Sequence, residues 1–185
     1  MEFGISVSSI SGLDFAEHGE RLGFTRCWVS DTPLIRSNLF ATMAAVAMRT
    51  KTIKIGSGVA VCGMRLAVDA ANGIATVNVL APGRTFAVIG AGNTAMRMLG
   101  QRPTGARAMR EYVRVVQGLL RGEEVMYAAD GPGGEAHPVR FAALERSLFD
   151  ASIITALRSA AVSALSITGA EHGLRDISSS TNEMP

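Results

Sequence analysis

The chain has 185 residues, of which 48% are hydrophobic and 18% charged, with a formal net charge of +2. That length and balance describe one globular domain with a substantial core and exclude a disordered chain. Its 18 basic and 16 acidic residues are interspersed without blocks of like charge, so neither a nucleic-acid tail nor a polybasic membrane patch is expected.

The N-terminal "MEFGISVSSISG" lacks the basic region and long apolar run of an export signal. The most apolar late stretch, "IITALRSAAVSALSI", is broken by Arg158 and is shorter than the roughly 20 residues that span a bilayer. A cytoplasmic protein without membrane contact is expected. Cys27 and Cys62 fall in strand-like segments far from any metal-like spacing, which reads as two reduced, buried thiols and no metal site.

In chain order, "EFGISVS" reads as a strand, and "GLDFAEHGERLGF" as a helix with Leu13, Ala16 and Leu22 at helical spacing, closed by Gly23. "TRCWVSD" is a second strand. "SNLFATMAAVAMRT" is a second helix, capped by Ser37 or Asn38, with Arg49 and Lys51 favouring its C-terminal end. "TIKIGSGVAV" is a third strand, "RLAVDAANGIATVNVLAPG" a third helix stopped by Pro82 and Gly83, and "RTFAVIGAG" a fourth strand.

In "GARAMREYVRVVQGLLRGEEV", Met109, Tyr112, Val113, Val116 and Leu120 share one helical face, and the helix ends at Gly122. Residues 126–141, "MYAADGPGGEAHPVRF", read as a surface excursion or small hairpin. Residues 142–178 carry a weaker pattern of a fifth strand, a fifth helix and the start of a sixth strand, before a frayed tail over 179–185. Strands alternating with helices predict an α/β fold with a parallel sheet, in a single domain over 1–178.

"RTFAVIGAGNTAMRMLG", residues 84–100, contains G-x-G-x-x-A at Gly90, Gly92 and Ala95. A dinucleotide fingerprint opens its fold and is followed about 20 residues later by an acidic strand end. Here three βα units precede it, and the acid at that distance, Glu111, lies inside an amphipathic helix. An NAD(P)-binding Rossmann domain is therefore kept only as a further alternative. In a β/α barrel, function gathers at the carboxyl ends of the strands. Those ends are Ser6 and Ser8, Ser30 and Asp31, Gly56 to Val59, and Gly90 to Asn93, small or polar residues over which a planar ligand can approach the backbone.

The segments "FGIS", "LGFTRCWVSD", "TIKIGSGV", "IATVNVLAPGRTFAVIGAGN" and "REYVRVVQGLLRGEEVMY", covering about residues 2 to 127, resemble the bacterial luciferase-like superfamily. Its members use FMN or the deazaflavin coenzyme F-420. "GAGNTAMRMLG" looks more like the deazaflavin-dependent branch, which includes methylene-tetrahydromethanopterin reductase. The resemblance implies a catalytic role for Asp31 near the ring. It implies a cofactor site made of Ser8, Asp31, Gly58, Val59, Gly90, Gly92 and Asn93, with Gly58 and Val59 at a third-strand bulge that often holds a non-prolyl cis peptide. Asn93 alternatively caps the helix that follows it. Thr32 stands where many deazaflavin enzymes place a histidine, and His18, His137 and His172 read as structural or solvated.

A whole barrel of this type takes about 250 residues. The expectation is thus a partial (β/α) TIM barrel of about five to six βα units, shortened at its C-terminal side. An open barrel exposes sheet edges, which predicts a homo-oligomer or a partner chain covering it. The leading function is an oxidoreductase using FMN or coenzyme F-420 for hydride transfer or monooxygenation of a small organic substrate. The alternative is a non-catalytic truncated remnant or oligomerising half-barrel.

Overall fold

A computed structural model of the chain describes residues 3–131 and 133–141. The fifth strand, fifth helix, sixth strand and frayed tail expected beyond residue 141 lie outside the described residues. The elements are β1 (Gly4–Val7), α1 (Leu13–Arg21), β2 (Arg26–Val29), α2 (Leu39–Arg49), β3 (Lys54–Ser57), β4 (Ala60–Val61), α3 (Ala67–Leu80), β5 (Thr85–Phe86), β6 (Ile89–Gly90), α4 (Asn93–Met98), α5 (Ala106–Leu120), β7 (Val125–Tyr127) and β8 (His137–Val139).

The main sheet is parallel with strand order β1-β2-β3-β5, each strand lying beside the one before it. A dinucleotide-binding sheet starts from its centre and reverses, so sequential order marks a barrel wall instead. The third and fourth expected strands each prove to be two. Their first halves, β3 and β5, pair within the main sheet, and their second halves, β4 and β6, pair as a separate parallel ribbon. The excursion over 126–141 contains the antiparallel hairpin β7–β8.

Alternation along the strands divides the two faces of the sheet. Val7, Cys27, Val29 and Ile55 point into a core with Ala16 of α1 and Leu39, Met43 and Val46 of α2. Burial pushes the Cys27 thiol up to about 12, so it behaves as a small apolar residue. Cys62 is also a free, buried thiol, but it sits in a 3-10 turn and not in a strand. The opposite row is Ser6, Trp28, Gly56 and Phe86. Trp28 and Phe86 meet edge to face, their centroids 4.7 Å apart. Gly56 is required there, because a Cβ would overlap the Phe86 ring.

A second core joins α3, α5 and the hairpin. Ala67, Ala70, Ala71 and Ala75 present a flat surface to Val115, Val116, Leu119 and Leu120. Asn38, not Ser37, caps α2: its Oδ1 accepts from the Ala41 N–H. The far end of α2 is closed by Arg84, whose guanidinium donates to the carbonyls of Ala47, Thr50 and Ile53.

Glu20 ties α1 to the turn before β3. Its Oε1 accepts from the successive backbone N–H groups of Thr52 and Ile53, and its carboxylate also accepts from Lys51 N–H. Partial burial opposes the charged form, but these backbone donors prevail and hold the carboxyl below its usual range. A lowered folded pKa contributes stability above the unfolded value and loses it as pH falls through the folded one. Glu20→Gln is expected to cost about 1 kcal/mol near neutral pH, after solvent screening. Thermal melts across an acid series should show the gap between variant and parent closing as pH falls below the ordinary carboxylate range.

Candidate functional site

The two broken strands create the site. Ser57 is buried at the end of β3, and its hydroxyl donates to Val88 O at 2.8 Å while accepting from Val88 N at 2.9 Å. One side chain thus pins both breaks together, and Ala60 N–H adds a second bond to Val88 O. Between β3 and β4, the Gly58–Val59 peptide bond is cis. Gly58 N–H donates back to Val29 O, holding this bulge against the end of β2.

Beyond these ends lies an open cleft of about 200 Å³ lined by Ser30, Asp31, Thr32, Gly58, Val59, Val61, Gly92, Asn93, Thr94 and Ala95. It stands at the carboxyl ends of β2, β3, β4 and β6. The structure therefore brings together five of the sequence-expected residues: Asp31, Gly58, Val59, Gly92 and Asn93. Ser8 and Gly90 do not line the cleft.

The glycines of G-x-G-x-x-A make room for protein. A Cβ on Gly90 would lie 2.7 Å from Val59 Cγ2, and one on Gly92 would overlap Val61 Cγ1. Gly92 also has φ of 78°, in the left-handed region that glycine adopts freely. Gly92, not Asn93, occupies the cap of α4; the Asn93 Oδ1 instead accepts from Arg97 Nε at 2.6 Å. The motif's strand, turn and helix are present, and its small residues let β6 and α4 close over β4.

Asp31 is 5% exposed, and its carboxylate is occupied by protein. Arg65 engages it through a bidentate fork, Nη1 to Oδ2 at 2.6 Å and Nη2 to Oδ1 at 2.9 Å, and Val61 N–H donates to Oδ2 at 2.9 Å. The Arg65 guanidinium lies over the Phe40 ring, 5.1 Å from its centroid. Phe40 in turn fits against α3 because residue 73 is glycine; a Cβ there would meet the ring at 2.5 Å. Burial alone would lower the Arg65 pKa, but the hydrogen bonds and charge of Asp31 hold it above its ordinary value. Sequence reading missed Arg65, Phe40 and Ser57, since the partners of Asp31 and Ser57 lie about thirty residues away and share no motif with them.

Among the described residues, no group of His, Cys, Asp and Glu side chains is arranged to hold a metal, and no helix is long and apolar enough to cross a membrane. His18 lies on α1, with Arg21 Nη2 3.4 Å from its Nδ1, and His137 lies in β8; His172 falls outside the described residues.

The model of the luciferase-like monooxygenase family matches residues 10–148. The chain belongs to that family. It is 29% identical over 134 residues to a 5,10-methylenetetrahydromethanopterin reductase of Methanolobus tindarius, covering 70% of this chain and 40% of the reductase. Against limonene 1,2-monooxygenase of Rhodococcus erythropolis it is 33% identical over 125 residues, covering 64% of this chain and 32% of that enzyme. The coenzyme F-420-dependent tetrahydromethanopterin reductase of Methanopyrus kandleri superposes with a TM-score of 0.62 at 21% identity, over 79% of this chain and 48% of that one. The oxygenating constituent of 3,6-diketocamphane monooxygenase from Pseudomonas putida, solved with FMN, gives 0.62 at 20% identity, over 79% and 46%. The fold is thus that of the luciferase-like TIM barrel, and the family member in hand spans less than half the length of these relatives.

Gly92→Ala is expected to destabilise the protein by about 2–4 kcal/mol, from left-handed strain plus overpacking against Val61. Adding Val61→Ala should recover the packing share and leave the backbone share, which chemical denaturation of the single and double variants would resolve. A double variant no more stable than Gly92→Ala alone would mean that Val61 is not what the glycine accommodates.

Proposed function

We propose that the cleft receives the ring system of a deazaflavin or flavin, with coenzyme F-420 preferred over FMN, in an oxidoreductase acting on a small organic substrate. The observation that carries this reading is the convergence of Asp31, Gly58, Val59, Gly92 and Asn93 on one cleft at the strand carboxyl ends. In β/α barrels that end is where ligands are held. The preference for F-420 is supported by the form "GAGNTAMRMLG" and by likeness to methylenetetrahydromethanopterin reductases.

The residues present fit the ring and not a phosphate tail. The Gly58–Val59 backbone and the small Ala95 leave a flat approach, while Ser30, Thr32, Asn93 and Thr94 supply hydroxyl and amide groups for a polar ring edge. Asp31 is the only charged side chain among the described lining residues, so an anionic tail would have to lie away from this cleft. When bound, the cofactor would supply the hydride or oxygen chemistry. The protein's share is orientation and exclusion of water: the Ser57 pin fixes the bulge, and Asp31 fixes the loop after β2. With its carboxylate given to Arg65 and Val61, Asp31 serves as a holding group in this reading and not as a proton carrier.

The second reading is a half-barrel that binds no cofactor. Fluorescence titration with F-420, FMN and NADPH separates the possibilities. The expected result is saturable F-420 binding, weaker FMN binding and none for NADPH, with Asn93→Ala weakening F-420 about threefold to tenfold, as loss of one polar contact does. Binding of NADPH alone would sink the proposal, and failure of all three ligands would favour the non-catalytic half-barrel.

A further inference from the structure

Arg65 does not line the cleft. It borders a neighbouring cavity of about 170 Å³, shared with Thr104, Ala108 and Tyr112, and only its partner Asp31 reaches the cleft. The ion pair is therefore the partition between the two spaces, and its side chains are 13% and 3% exposed. A pair this buried survives only with complete geometry, since each charge taken from water must be repaid by hydrogen bonds.

That geometry is present and directional. The fork fixes the plane of the Asp31 carboxylate, the Phe40 ring fixes the plane of the guanidinium, and Val61 N–H takes up a further acceptor position. Three chain segments meet here: the loop after β2, strand β4, and the residues leading into α3. Two of them contribute cleft walls, through Ser30, Thr32 and Val61. The other titratable groups whose fields reach Arg65 are Tyr112 of α5 and Asp69 of α3, and burial raises the Tyr112 hydroxyl above its usual range.

We propose that Arg65 is a positioning residue for the cleft, acting through Asp31 and the Val61 amide to hold two of its walls at the spacing a bound ring requires. This rests on reading the cleft as a cofactor-ring site. It assigns Arg65 a role in affinity without contact to the ligand. It also makes the guanidinium's fork, and not its charge alone, the operative feature, because lysine can supply the charge but not two parallel donors.

The test uses Arg65→Met, Arg65→Lys, Asp31→Asn and the double variant Asp31→Asn/Arg65→Met in the full chain, with folding checked by circular dichroism. Dissociation constants for F-420 and FMN are read by fluorescence, and the Val61 amide by ¹H–¹⁵N NMR of the cofactor-free protein. Arg65→Met and Asp31→Asn are each expected to weaken binding about tenfold, with the double variant no weaker than the weaker single one, as for residues acting as one unit. Arg65→Lys should recover part of the loss, and the Val61 amide resonance should shift in every variant. Parental affinity in folded Arg65→Met, or losses that multiply to about a hundredfold in the double variant, would overturn the proposal. If Arg65→Met does not fold, Arg65→Lys carries the test, and parental affinity with an unmoved Val61 amide refutes it. If the parent binds neither cofactor, the functional reading fails; the Val61 amide then decides the positioning role, an unmoved resonance in Arg65→Lys ending it.

Discussion

The buried ion pair between Asp31 and Arg65 is the constraint on which the region around the cleft depends. Neither charge could be withdrawn from water alone, and leaving one unpaired would cost about 3–5 kcal/mol. The pair therefore forces the loop after β2 and the segment after β4 to arrive together, although 34 residues separate the partners. Once they have, the Val61 N–H has its acceptor, and Val61 stands where only glycine at position 92 can pass. Electrostatics, strand pairing and the choice of glycine are thus one requirement met at one place.

A second consequence concerns how the barrel wall opens into a cleft. A continuous third and fourth strand would carry the main sheet straight past this point. The chain instead breaks both strands at equal heights, and Ser57 closes the gap by bonding both polar groups of the Val88 backbone. The ribbon β4–β6 then pairs as a sheet of its own, separate from the main one. Function in such folds gathers at strand carboxyl ends because side chains and backbone groups there are freed from sheet pairing. This structure shows how the sequence frees them, by a hydroxyl that substitutes for two ladder bonds.

Much of this was legible in the sequence. Alternating strands and amphipathic helices gave the order of elements, because Ile, Val and Ala at the right periods have few other uses. The position of G-x-G-x-x-A as the fourth unit argued against a dinucleotide fold, and the sequential strand order agrees. What could not be read was long-range partnership. Asp31 looked available for chemistry because nothing near it in sequence announces Arg65, and Arg65 looks like any surface arginine until Phe40 and Gly73 are seen beneath it. In sequence the motif glycines suggest space for a ligand, whereas Val59 and Val61 fill the space beside Gly90 and Gly92. The breaks in the third and fourth strands were hidden for a related reason: "TIKIGSGVAV" and "RTFAVIGAG" keep their apolar character across the break, and only the Ser57–Val88 contact reveals it.

The central claim is that the cleft beside the Asp31–Arg65 pair is the seat of a flavin-type ring. A crystal structure of the chain with coenzyme F-420 tests it most directly. The account predicts ring density packed against the Gly58–Val59 backbone and beside Asn93, with the Asp31–Arg65 fork intact behind it. Density for the ring elsewhere, or a ring that displaces Arg65 from Asp31, would contradict it.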